Sequence, residues 1–173
     1  MRYVELRRHT DNEGDRLTPQ GPADAEMTGR AGCTRLMPRS CPPTRARATQ
    51  MPGILRHAAG QDDTPITAAP GLRSSVEDRW RDAARAAGKQ ADLEDIRAID
   101  PDLAERESWL PGSALRQVMA GLPEGGRALV AGHSPTTEAA VLGPAGLAVP
   151  PLGKGKGVLL AGDDGDYRVE PLD

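Results

Sequence analysis

The chain has 173 residues, 22 Lys and Arg against 25 Asp and Glu, a net charge of −3, and only 2% aromatic residues with no Phe. That length suits one domain, the balanced charge leaves no dominant basic face for nucleic acid, and no apolar run approaches the ~20 residues that cross a bilayer. Cys33 and Cys41 are too few for a disulfide framework or a zinc site, and Met1-Arg2-Tyr3-Val4-Glu5-Leu6 has no apolar signal region, so a soluble cytoplasmic chain without nucleic-acid or membrane partners is expected.

The elements follow in chain order. Tyr3 to Leu6 carries β-favouring residues and predicts a short strand that ends in the polar cluster Arg7-Arg8-His9. After a turn-rich stretch, Thr18-Pro19 predicts a helix start, with Thr18 as N-cap and Pro19 in the first helical position, running to about Arg30. A second strand is expected over 35–40, weakened by Pro38, and a helix from Thr44 that Pro52 and Gly53 would kink. Residues 60–70 read as a polar linker and Val76 to Lys89 as a charged, Ala-rich helix. Residues 91–112 are acidic and without a clear period, and Leu115, Val118, Met119 and Leu122 predict a helix over 113–122. Arg127 to Gly132 has no polar alternation, which suits a strand buried on both faces. A helix over 135–142 and a hairpin, 157–161 with 167–170 around Asp163-Asp164-Gly165-Asp166, close the chain. Strands alternating with helices imply an α/β sandwich.

Two segments share one form: a short apolar strand, a terminal histidine, then a turn into a helix. These are Leu6-Arg7-Arg8-His9 and Val130-Ala131-Gly132-His133. In open α/β sheets ligands bind beyond the carboxyl ends of strands, so parallel, adjacent strands would bring both histidines to one crevice. His57, the remaining histidine, falls in a helix pattern and reads as a surface residue.

Leu6-Arg7-Arg8-His9-Thr10, followed by Leu17-Thr18-Pro19-Gln20-Gly21, resembles the opening of the histidine phosphatase superfamily. Ser40-Cys41-Pro42-Pro43-Thr44-Arg45-Ala46 resembles its second block and Gly132-His133-Ser134-Pro135 its third, in the same order and across most of the chain. The short length resembles the compact branch containing phosphohistidine phosphatases. The resemblance implies a phosphoglycerate-mutase-like fold: a three-layer α/β/α sandwich with a mainly parallel central sheet. It would form one domain, 1–173, with a helical insertion at about 74–112 covering the site.

The resemblance also implies roles. His9 would be the nucleophile, forming a phosphohistidine intermediate. Arg8 and Arg45 would grip the phosphoryl oxygens, for which a planar guanidinium fork is suited; Arg47 is the alternative in register. His133 would stabilise transition-state charge. No metal or other cofactor is implied. The family's general acid is displaced here, since Ser74 stands at its place; Glu77 is preferred, with Glu107 and Asp11 as alternatives. Thr10 replaces a glycine and would narrow the pocket, add a hydroxyl ligand or alter the turn. The implied function is hydrolysis of a small phosphomonoester metabolite. The alternatives are a phosphatase of phosphohistidine proteins, a mutase, for which the covering segment is small, and a non-catalytic phosphate-binding module. If a ring touches substrate, Trp80 or Trp109 is expected to supply it.

Overall fold

A computed structural model describes residues 1–13, 16–32, 37–40, 46–88, 91–163 and 165–173. Among them lie β1 (Arg2–Arg8), β2 (Asn12–Glu13), β3 (Arg16–Leu17), α1 (Gln20–Gly32), β4 (Met37–Ser40), α2 (Ala46–Ala58) and β5 (Thr67–Ala68). They continue with α3 (Glu77–Ala87), α4 (Leu93–Ile99), α5 (Pro101–Ala120), β6 (Arg127–Gly132), α6 (Thr136–Ala145), β7 (Gly157–Asp163) and β8 (Asp166–Leu172). The main sheet has the order β5-β4-β6-β1-β7-β8, and β2 and β3 form a separate small ribbon.

The sheet is mixed. From β5 through β4 and β6 to β1 the pairings are parallel, whereas β7 and β8 add antiparallel to the far side of β1. The expected parallel sheet is therefore confined to the half that carries the two histidines. The other half is the expected hairpin, where Asp163 pairs with Asp166 and Gly165 takes a positive φ of 100°. Pro38 is tolerated within β4 because β5 reaches only Arg39 and Ser40; at Pro38 the strand is bonded on the β6 side alone.

The three expected layers follow from side-chain alternation. Ala128 and Val130 of β6, with Val4 and Leu6 of β1, pack among Leu115, Val118, Met119 and Val141 of α5 and α6. Leu129 and Ala131 point the other way, to Ala25, Met51 and Leu55 of α1 and α2. The uninterrupted apolar run of β6 thus serves two cores. A third core, small beside the first, gathers Trp80, Ala83, Leu93, Ile96 and Leu103 against Ala139.

Residues 91–112 are helical rather than irregular. Asp92 and Asp95 bond reciprocally in a capping box that starts α4, and the Asp100 side chain caps α5 with Pro101 in its first turn. Helix α5 then continues through Pro111 to Ala120, where a helix over 113–122 alone was expected. An interior proline costs a helical bond; here packing against α6 offsets it, for Gly112 and Gly143 approach so closely that a Cβ on Gly112 would lie 2.7 Å from the Gly143 Cα. Likewise α2 runs through Pro52 and Gly53. Among the described residues no helix is long and apolar enough to cross a membrane.

Candidate active site

Strands β1 and β6 are parallel neighbours with Arg8 opposite Gly132, so both histidines leave the sheet at the same level. The His9 N–H donates to the Gly132 carbonyl (3.1 Å), extending the ladder by one bond. The imidazole rings lie 5.0 Å apart between centroids, inclined at 66°. His9 is 6% exposed. Its Nδ1 sits 2.8 Å from the Thr10 carbonyl. A carbonyl only accepts, so Nδ1 carries the proton and a neutral ring keeps its lone pair on Nε2.

Thr10 turns out to serve the fold. Its hydroxyl donates to the Gly21 carbonyl (2.8 Å) at the start of α1. Glycine is required at position 21, because a Cβ would fall 2.4 Å from the Asp11 carbonyl oxygen. Thr18 caps the helix as expected, its Oγ1 accepting from the Gly21 N–H at 3.3 Å. The residue that departs from the family pattern is therefore bound into the β1–α1 connection.

His133 is held through its own carbonyl, which accepts from the Thr137 N–H (2.8 Å), Thr136 Oγ1 (2.8 Å) and Thr137 Oγ1 (2.9 Å). Gly132 makes room for this, since a Cβ there would lie 2.8 Å from Thr137 Oγ1. Arg8 points to the α6 side of the sheet. Its Nη1 donates to the Leu152 carbonyl (2.6 Å), and its buried Nε has no acceptor among the described residues. Arg7, on the opposite face, is 4% exposed and bonds Glu5 (2.6 Å) and the carbonyls of Gly155 and Asp173. Arg7 thus spends its Nε and Nη1 within the fold, whereas Arg8 spends Nη1 alone. Arg45 lies outside the described residues, as do Cys33 and Cys41, and of Arg47 only the helical backbone is described.

A cavity of about 300 Å³ borders His133. Gly132, His133, Ser134 and Thr136 line one side; Ser74, Glu77, Trp80 and Arg81 line the other. The candidate acids separate. Glu77 lines the cavity with its carboxylate 3.2 Å from Arg73 Nε. Glu107, 5% exposed, lies behind Trp80 and accepts from its indole N–H (3.4 Å). Asp11 pairs with Lys154 and accepts from Thr18. The Lys154 ammonium, then Thr18, hold its carboxyl below the ordinary value, which suits a poor proton donor. Trp80 lines the cavity at 2% exposure, whereas Trp109 is 64% exposed and lines a separate surface groove. His57 is the expected surface residue, paired with Asp62. Among the described residues no three His, Cys, Asp or Glu side chains gather as metal ligands.

Sequence reasoning missed Glu138, on the first turn of α6. It is 2% exposed, and its Oε1 accepts from Ser134 Oγ (2.6 Å) and the Leu152 N–H (2.8 Å). Burial pushes its carboxyl above the ordinary value against the pull of Ser134, the Leu152 N–H and the Arg8 charge. No signal short of the fold marks it, because its partners come from separate loops.

This sheet order, with two histidines at the ends of adjacent parallel strands beneath a helical layer, defines the phosphoglycerate-mutase-like fold. Solved structures that share it include a phosphoglycerate mutase, a phosphoserine phosphatase and a protein histidine phosphatase. Phosphoglycerate mutase from Bacillus anthracis str. Sterne superposes with a TM-score of 0.71 over 98% of this chain and 92% of that one, at 16% identity. Phosphoserine phosphatase from Entamoeba histolytica, in complex with 3-phosphoglyceric acid, does so with a TM-score of 0.70 over 100% of this chain and 98% of that one, at 14% identity. The protein histidine phosphatase SixA, complexed with tungstate, gives 0.57 over 99% of this chain and 96% of that one, at 15% identity. No protein-family model matches the chain, and no curated protein matches it in sequence. At these identities the likeness defines the fold.

Proposed function

We propose that the chain is a phosphatase that hydrolyses a small phosphomonoester through a phosphohistidine at His9. The observation that carries this reading is the pair of rings 5.0 Å apart, His9 with Nδ1 on the Thr10 carbonyl and Arg8 beside it. In the first step Nε2 of His9 attacks phosphorus, the bond from phosphorus to the ester oxygen breaks, and Glu77 gives that oxygen its proton. In the second step water attacks the phosphohistidine, Glu77 takes the water proton, and phosphate leaves with His9 restored. Charge spreads over the phosphoryl oxygens in both transition states. Arg8, Arg45 and His133 would supply the donors that meet it, and this chemistry calls for no metal.

Residues 74–112 act as the insertion that covers the site within one domain spanning 1–173. Helix α3 of that segment lines the cavity, and about 300 Å³ suits the leaving group of a compact metabolite. Glu77 in the cavity favours an oxygen ester over a phosphohistidine protein, since a nitrogen leaving group protonates readily without an enzyme acid. The substrate would be met in the cytoplasm.

The test is a burst experiment with p-nitrophenyl phosphate, quenched in alkali, where phosphohistidine survives. The wild type should give a burst and an alkali-stable phosphoenzyme, and His9→Ala neither. Turnover with no phosphoenzyme, or an unchanged burst in His9→Ala, would overturn the assignment. Parallel assays of an alkyl phosphate and a phosphohistidine peptide separate the two substrate classes.

A further inference from the structure

Residues 146–156 contain no helix or strand, yet they lie beside both histidine-bearing loops. What holds them is a short chain of bonds. The Leu152 peptide donates its N–H to Glu138 Oε1 (2.8 Å) and accepts from Arg8 Nη1 (2.6 Å) on its carbonyl. The same Oε1 accepts from Ser134 Oγ (2.6 Å). Ser134 follows His133 and Arg8 precedes His9, so one carboxylate oxygen stands between the two halves of the site. A carboxylate at 2% exposure is costly to bury, and an apolar side chain would fill the space at lower cost. What an apolar side chain cannot do is accept two hydrogen bonds.

We propose that Glu138 is a positioning residue for phosphoryl transfer: it fixes the Leu152 peptide that orients the Arg8 guanidinium, and through Ser134 it keeps that assembly in register with His133. This rests on the phosphatase reading above. Arg8 spends one nitrogen on Leu152 and thereby aims the rest of its fork. Without Glu138 the Leu152 N–H loses its acceptor and the peptide is held from the Arg8 side and by its side chain alone, and a guanidinium displaced by about 1 Å costs on the order of 10²-fold in rate.

The test is a double-mutant cycle on hydrolysis of p-nitrophenyl phosphate and on inhibition by vanadate. Glu138→Ala should lower kcat/KM by about 10²-fold and weaken vanadate in parallel. Adding the same change to Arg8→Ala should cost little more, because the two act through one guanidinium. Glu138→Gln, which keeps a carbonyl oxygen for both donors, should recover most of the loss. If Glu138→Ala does not fold, the cycle is run with Ser134→Ala, which removes one of the two donors, and the same non-additivity is expected. Additive losses, or a loss that disappears once rates are corrected for the folded fraction by circular dichroism, would overturn the proposal. A wild type that hydrolyses the ester while the cycle is additive overturns Glu138 alone. A wild type that neither hydrolyses the ester nor binds vanadate overturns both readings.

Discussion

The two walls of the cavity are held by different forces. The histidine wall stands on the sheet: His133 follows β6, to which the neighbouring His9, outside the cavity lining, is bonded through its N–H, and three donors from α6 fix the His133 carbonyl. The facing wall is α3, which rests on the small core around Trp80 and on ion pairs at the surface. Arg79 grips Asp100 with two bonds of 2.6 Å, and Arg81 meets Asp78 at 2.7 Å. Backbone ladders set atoms to fractions of an ångström, as covalent catalysis requires. Exposed ion pairs are worth little and adapt easily. On the proposed reading the nucleophile stands on ladder-held backbone, while Glu77 and the leaving-group pocket belong to the adaptable wall.

The sharpest break in this contrast is His9→Ala, which should lower turnover by at least about 10⁴-fold, measured by steady-state assay, while leaving the melting temperature close to wild type. Trp80→Ala should do the reverse. It removes the largest side chain of the small core and should cost about 3–5 kcal/mol in denaturant unfolding; KM for a bulky ester should rise more than kcat falls. Glu77→Gln lies between the two. It should lower kcat/KM, which reports the step that forms the phosphohistidine, about 10²-fold for an alkyl phosphate and far less for p-nitrophenyl phosphate, whose leaving group needs no proton; equal losses in kcat/KM would remove Glu77 from the acid role.

Smaller effects test the electrostatics. Burial raises the Glu138 carboxyl above its ordinary value, so the folded chain holds a proton that the unfolded chain has released. The associated stability is fully present below the ordinary glutamate value and is lost as pH rises through the raised one. The melting temperature of Glu138→Gln relative to wild type should therefore climb with pH across that window, and a flat difference would contradict the raised value. Arg81→Ala should be the mildest change, with no measurable shift in melting temperature and at most a change in KM, since both partners of its ion pair are largely exposed.

Much of this was legible beforehand. A strand pattern ending in Gly-His, and a second ending in Arg-His, predicted two strands delivering histidines to one crevice, because ligands in open α/β sheets bind beyond the carboxyl ends of parallel strands. The helices over 91–112 were legible too and were missed: Asp92 with Asp95, and Asp100 before Pro101, are local start signals. Their weak apolar period concealed them, since α4 rests on Leu93 and Ile96 alone in the small core. Pro111 inside α5 was not legible, because packing against α6 outweighs the lost helical bond. Nor was the placement of Glu77, Glu107 and Asp11, since only the fold decides which carboxylate lines a cavity built from two distant segments.

The sequence by itself determined the alternation of strands and helices, the two histidine-bearing strand ends and the arginine beside the first, because local periodicity and turn chemistry act over a few residues. Only the tertiary structure decided that Arg7 is bound to Glu5 and Arg8 to Leu152, that Thr10 is bound to Gly21, and that Glu138 joins Ser134 to Leu152. Arg8 meets Leu152 across 144 positions of chain, and such contacts exist only once the sheet has brought β1, β6 and the loop before β7 together.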